Sequence, residues 1–328
     1  MNDIVEKLLN SNEPSVRFKV LVNVLGKNGN SDEIKKLQQK IKYSLRVKKL
    51  LSVRDKSGKI PYNPYCKWYG AHWIMPMLAE LGYPPGDTSL IPIRDQVYNC
   101  WLSPEHIKKV PIINGRSRRC GSQEGNALYA ILTLGLDNGR CDEIVQNLLK
   151  WQWEDGGWNC DKRPEATHSS FHETLIPLRA LSLYGRLRKC NEALESAQRA
   201  SEVFLKRKLF RRQSDGKIIN EHFLKLHYPY YWHYDILFGL KVMAETGFIS
   251  DERCQEALDI LESKQLPDGG FPAEEKYYRY SEKKPPLNRR ISNLSLVDWC
   301  PTSKRRMNEF VTADALYVLK KANRFVAI

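Results

Sequence analysis

No stretch of eighteen uncharged apolar residues occurs in the sequence, so no membrane-spanning helix is written in it. No basic segment followed by an apolar run stands at the start, so a secretory signal is not expected. The eight cysteines, Cys66, Cys100, Cys120, Cys141, Cys160, Cys190, Cys254 and Cys300, include no Cys-x-x-Cys pair. That excludes a zinc ribbon and a thioredoxin-type dithiol, and leaves free thiols in a cytoplasmic protein as the expectation. No ribonucleoprotein, zinc-finger or basic-zipper signature is present, although Lys and Arg exceed Asp and Glu by 14. The basic residues are spread along the chain, so nucleic acid is an allowed partner and not the favoured one. Strand signals are nearly absent. With 42% apolar and 27% charged residues, the 328-residue chain has the composition of a globular protein and the length for one large domain, 1–328.

What is present is a repeat. Gln152-Trp-Glu-Asp155-Gly-Gly-Trp158 and Gln265-Leu-Pro-Asp268-Gly-Gly-Phe271 share one pattern, echoed at Gln213-Ser-Asp215-Gly216 and Arg54-Asp55-Lys-Ser-Gly58. Asp-Gly-Gly makes the turn, because glycine tolerates positive φ. The aromatic residue after it is expected to pack back on the preceding helix. Between these turns lie apolar helices closed by glycine: Trp68 to Gly82, Gln123 to Gly135, Phe171 to Gly185 and Tyr231 to Gly247, with Phe310 to Asn323 as a fifth copy. Amphipathic helices alternate with them, as at Cys141–Leu149 and Glu252–Leu261. Three more helices are expected near 3–11, 14–26 and 31–51. Helical hairpins stacked as an inner and an outer layer follow, arranged either as an open solenoid or as a closed ring.

The Gln-x-x-Asp-Gly-Gly-Trp turn between inner and outer helices resembles the repeat of squalene–hopene cyclases and protein prenyltransferase β subunits. The resemblance covers about residues 60–325. It implies an all-α (α/α)6 toroid, completed by the N-terminal helices of residues 1–60, with ligands bound where inner helices begin. Two departures matter. The Asp-x-Asp-Asp acid motif of class II cyclases is missing. Protein prenyltransferases also need a second subunit, and none can be read from this chain.

Residues at the starts of the inner helices are chemically loaded. Counting twelve back from Gly185, Gly247 and Gly135 aligns Glu173, Asp235 and Gln123. His172 and His233 stand beside them, with His72, Glu124 and Asp314 nearby. Glu173 and Asp235 are therefore the expected acid/base pair and His172 and His233 their partners, although capping alone also favours a carboxylate in a first turn. Trp73, Trp158, Tyr231 and Trp232 are expected to wall a cavity for an apolar or cationic guest. The loop from Asn159 to Glu173 holds Cys160, Asp161, His168 and His172, a set able to bind zinc. Asp298-Trp-Cys300 is similar to the Asp-x-Cys zinc ligands of prenyltransferase β subunits, but no histidine follows it. The basic, proline-containing segment 282–307 interrupts the repeat and would bring Arg289 and Arg290 to an anionic ligand.

An enzyme of the transferase or cyclase and lyase kind is the leading expectation, with a hydrophobic, isoprenoid or phosphorylated substrate in the central cavity and zinc as the one cofactor suggested. A helical-repeat protein that binds peptide, lipid or nucleic acid is the alternative. A polysaccharide lyase or hydrolase on a similar toroid is the alternative enzyme.

Overall fold

Helix follows helix through the computed structural model, which describes residues 2–288, 290–291 and 293–326. Arg289 lies outside the described residues. The helices are α1 (Asp3–Leu9), α2 (Pro14–Lys19), α3 (Asp32–Lys42), α4 (Leu45–Leu51), α5 (Ala71–Leu81), α6 (Ile91–Trp101), α7 (Pro104–Lys108), α8 (Gly121–Thr133), α9 (Cys141–Trp151), α10 (Phe171–Arg188), α11 (Asn191–Leu205), α12 (Ile236–Thr246), α13 (Gln255–Glu262) and α14 (Glu309–Lys321). The protein is mainly helical. Among the described residues, strands occur only as two short pairs, Ile112–Ile113 antiparallel to Arg116–Ser117 and Arg279–Tyr280 parallel to Leu294–Ser295. No described helix is long and apolar enough to cross a membrane.

Two kinds of helix alternate, and burial separates them. In α5 every residue but Glu80 is buried, and in α12 all but the last two are. In α9 the buried positions are Cys141, Ile144, Val145, Leu148 and Trp151, a single stripe at helical spacing. Each helix of the first kind packs on the next: α5 on α8, α8 on α10, α10 on α12, and α12 on α14. In turn α14 packs on α2 and on Val20–Val24, the π-helical turn that continues α2. The second kind covers them, with α6 on α5, α9 on α8, α11 on α10 and α13 on α12.

Several helix ends differ from the sequence expectation. The 31–51 stretch is two helices, because Ser44 caps a new one by accepting from the Val47 amide. Gly82 and Gly247 do take the left-handed conformation that ends a helix. Gly185 does not. There α10 runs on to Arg188 and Lys189 adopts the left-handed turn instead. The residues Tyr231–Asp235, expected inside a helix, form an irregular lead-in to α12.

The Asp-Gly-Gly turns behave as their chemistry requires. Gly156 has φ 100° and passes so close to Arg199 that a Cβ would meet its carbonyl oxygen at 2.3 Å. Trp158 is fully buried behind that turn, and its indole N–H donates to the Leu148 carbonyl of α9 at 3.0 Å. It packs on the preceding helix, and so it is a core residue rather than a wall of the substrate site. The basic segment is pinned to the lead-in of α5 rather than free. Tyr62 donates to the Pro285 carbonyl at 2.7 Å, and the Ile291 amide donates to the Tyr69 oxygen at 3.1 Å.

Candidate functional site

The tightest helix pair sets the geometry of the site. Gly125 of α8 lies against Pro177 of α10, where a Cβ would stand 2.8 Å from the proline nitrogen. Pro177 has no N–H and Gly125 no side chain, so the two backbones meet. One turn toward the start of each helix, that closeness brings Glu173 of α10 onto α8. The Glu173 carboxylate accepts from the Ser122 amide at 3.2 Å and from the Ser122 hydroxyl at 2.7 Å, both on Oε2. Its Oε1 accepts from the Trp232 indole N–H at 3.1 Å. The Cys160 thiol lies 3.7 Å from the same oxygen. Burial pushes the Glu173 carboxyl above its usual range, and the Ser122 and Trp232 hydrogen bonds oppose that shift without cancelling it.

Cys120 completes the cluster. It occupies the N-cap position of α8 but makes no side-chain cap. The segment before α8 runs parallel to the loop after the Asp-Gly-Gly turn. Arg118 bridges to Asn159, and the Arg119 amide donates to the Asn159 carbonyl at 3.1 Å. The residues that follow, Cys120 and Cys160, are thereby set side by side. Ligand atoms of Cys120, Cys160 and Glu173 all lie within 4.8 Å of one another. The Cys160 contact and burial together raise the Cys120 thiol well above its ordinary value.

Aromatic rings surround this centre. Tyr231 stacks on Trp73, and Lys67 lies over both Trp73 and Trp232. His172 packs against Trp232 and His233 stacks on Tyr277. Burial holds the His172 imidazole down at about 4 and His233 at about 3, so both are neutral at neutral pH. His72 accepts the Trp101 indole N–H on Nδ1 at 2.9 Å, and burial lowers it to about 3. Among the described residues its Nε2 has no hydrogen-bond partner, and neither has the Trp73 indole nitrogen, the Tyr231 hydroxyl or Glu124 Oε2. These orphaned polar atoms sit on the starts of α5 and α8 and the lead-in to α12.

A groove of about 710 Å³ opens beside the cluster, lined by Phe171, His172, Ile219, Phe223, Arg207 and Arg212 among others. His172 joins the two places: it lines the groove and touches Trp232, whose N–H holds Glu173. The interior behind Trp73, expected to be an open cavity, holds the buried rings of Tyr228, Tyr230 and Tyr231.

Other expected residues are placed elsewhere. Asp235 is the N-cap of α12. Its Oδ1 accepts from the Phe238 amide at 2.7 Å and its Oδ2 from the His227 amide at 2.8 Å, with His227 Nδ1 2.7 Å from the same oxygen. Glu173 and Asp235 share no hydrogen-bond partner: Ser122 and Trp232 hold the one, Phe238 and His227 the other. Glu124 pairs with Arg119 at 2.9 Å and with His106 at 3.3 Å. Asp314 joins a buried charge cluster with Lys19 at 2.9 Å and Lys241 at 3.4 Å. Arg290 donates to the Tyr65 carbonyl at 3.3 Å. The two expected zinc sets are not assembled. Asp161 is taken by Arg163, and His168 is an exposed loop residue whose carbonyl accepts from Asn159. Asp298 accepts from the Cys300 amide, while the Cys300 thiol faces Arg46. Sequence reasoning missed Cys120, Ser122 and Lys67. The pairing of two loops distant in sequence leaves no local motif for Cys120, and Ser122 shows only as a polar residue one place before the aligned Gln123.

No family model matches the chain, and no curated protein matches it. Solved structures give distant likenesses. A protein from Actinoplanes is 14% identical with a TM-score of 0.44, over 94% of this chain and 89% of that one. A variant of the type II terpene cyclase MstE from Scytonema, in complex with geranylgeranyl dihydroxybenzoate, is 14% identical with a TM-score of 0.28, over 98% and 99%. Apo MstE is 15% identical with a TM-score of 0.25, over 85% and 96%. At those values the likeness assigns no family.

Proposed function

We propose that the chain is an enzyme on an (α/α)6 toroid, working where α5, α8, α10 and α12 begin, on a hydrophobic substrate with an anionic end. The circuit of helix contacts supports the toroid: α5, α8, α10, α12, α14 and α2 pack in turn, and Lys19 of α2 reaches Glu80 of α5 at 3.4 Å. The observation that carries the enzymatic reading is Glu173. It is a carboxyl withdrawn from water, fixed by Ser122 and Trp232, and bordered by aromatic rings. A carboxyl so held serves a reaction either by moving a proton or by holding a metal. Both roles need this residue, and Asp235 in this reading serves the fold as a cap.

The groove supplies the substrate class. Phe171, Ile219 and Phe223 suit an apolar chain, and Arg207 and Arg212 suit an anion such as a diphosphate. Eight free thiols fit a reducing compartment.

The test uses geranyl, farnesyl and geranylgeranyl diphosphates, with products followed by mass spectrometry and binding by tryptophan fluorescence. Wild type is expected to consume at least one of them. Glu173→Gln should slow that consumption about a hundredfold, the lower end of what a positioned acid or base contributes, with an unchanged unfolding midpoint. Arg207→Gln should weaken binding and leave the bound substrate's turnover alone. Binding without consumption, equal in wild type and Glu173→Gln, would make the chain a lipid-binding protein instead.

A further inference from the structure

We infer that Cys120, Cys160 and Glu173 form a zinc site with one open coordination position. The inference rests on the reading of this region as the reaction centre, and it decides between the two roles open to Glu173. In a tetrahedral zinc site with Zn–S about 2.3 Å and Zn–O about 2.1 Å, a sulfur and an oxygen ligand stand about 3.6 Å apart. Cys160 Sγ and Glu173 Oε1 stand 3.7 Å apart, and Cys120 Sγ is within 4.8 Å of both. The Cys160 and Glu173 spacing is that of two ligands around a shared ion, and Cys120 lies near enough to join them.

Two soft sulfurs and one carboxylate are a donor set for zinc rather than for magnesium or calcium, which take oxygen alone. Among the described residues no fourth His, Cys, Asp or Glu joins the three. A site with three protein ligands leaves a place for water or substrate, the arrangement of catalytic rather than structural zinc. The outer contacts are built as well. Ser122 holds Oε2, and Trp232 fixes Oε1, the oxygen 3.7 Å from the Cys160 sulfur. Both cysteines are partly exposed, so an ion can enter.

Zinc is held by thiolates and a carboxylate, so its binding to these three residues should release protons and strengthen as pH rises. This set shares Cys160 with the expected Cys160, Asp161, His168 and His172 set and nothing with the Asp298 and Cys300 pair; among the described residues neither expected set brings three ligand atoms together.

The experiment loads the purified, untagged, reduced chain with zinc, dialyses it, and counts metal by mass spectrometry. Cobalt loading reads thiolate ligation through its charge-transfer absorption. Wild type should hold about one zinc per chain and show the thiolate–cobalt band. Cys120→Ser, Cys160→Ser and Glu173→Gln should each lose affinity by at least tenfold, while Cys300→Ser keeps the wild-type value. A zinc-dependent rise in the wild-type unfolding midpoint, read without any variant, covers the case in which a cysteine change impairs folding. Less than a tenth of a zinc per chain, equal binding in Cys120→Ser, or a Cys120–Cys160 disulfide in the freshly reduced and dialysed protein would each overturn the site. Turnover lost in Glu173→Gln with no metal bound would remove the zinc and keep the reaction centre. One zinc bound, with turnover indifferent to Glu173, would keep the metal and remove the reaction centre.

Discussion

His72 is buried with Nδ1 occupied by the Trp101 indole N–H, so its proton must sit on Nε2, which meets no partner among the described residues. Burial lowers its pKa from 6.5 to about 3, with Arg119 adding to the effect. The imidazole is neutral in both states above pH 6.5. As pH falls below that value, the unfolded chain takes up a proton that the folded one refuses, so stability is lost on acidification. At pH 5 this one group costs about 2 kcal/mol relative to neutral pH. Urea unfolding of wild type and His72→Gln at both pH values checks it. The variant should show about 2 kcal/mol less acid sensitivity, and an equal loss in both proteins would refute the assignment. Single residues of this kind were legible in the sequence as polar groups at the starts of apolar helices. Glu173 and His172 were singled out that way, and Trp232 as one of the rings expected to wall a cavity. Their partners were not, because Cys120 meets Cys160 through a bridge between Arg118 and Asn159 that no local spacing records.

At the scale of elements, the contact between α8 and α10 controls the site. Alanine at Gly125 would gain up to about 1 kcal/mol of helix propensity. It would also place a Cβ 2.8 Å from the Pro177 nitrogen and 2.9 Å from the Ile176 carbonyl carbon, both backbone atoms that cannot rotate away. Overpacking of that kind costs about 1–3 kcal/mol, so against that gain the net change should be a loss of up to about 2 kcal/mol. The helices would separate, and Ser122 would draw away from Glu173. Gly125→Ala should therefore lower the unfolding free energy and weaken zinc binding together. A stability gain, with zinc binding unchanged, would show that the two backbones are not held in contact there. The pairing of apolar with amphipathic helices was readable from burial periodicity alone, because a helix covered on all sides needs few polar residues. The end of α10 was not. Gly185 fits a helix stop by residue type, but in the structure a Cβ there would meet Leu194 of α11 at 2.6 Å, so the glycine serves helix packing.

The whole molecule is tied together about 9 Å further along α10 from Glu173, taking 1.5 Å of rise per residue, at Arg179. There five helices contribute to one buried cluster. Lys19 comes from α2, Glu80 from α5, Arg179 from α10, Lys241 and Glu245 from α12, and Asp314 from α14. Three cations face three carboxylates, so the cluster is neutral as a set and unbalanced by the loss of any member. The sequence hid it, because its members are spread over five helices and only Asp314 drew notice there, as a candidate for the substrate site. Apolar helix faces fit one another in more than one register, whereas Lys241 Nζ at 2.7 Å from Glu80 and 3.4 Å from Asp314 fits one. Lys241→Met would keep the volume of the stem and leave the buried set one cation short, with only Lys19 on Asp314 and Lys19 and Arg179 on Glu80, at a cost of up to about 3–5 kcal/mol. Adding Asp314→Asn restores the balance of charge, so the double variant should be more stable than the sum of the two single losses predicts, by at least about 1 kcal/mol. Urea unfolding of the four proteins closes that cycle. Strictly additive losses would mean that the charges act singly, and that the fit of these helices is set by their apolar faces after all.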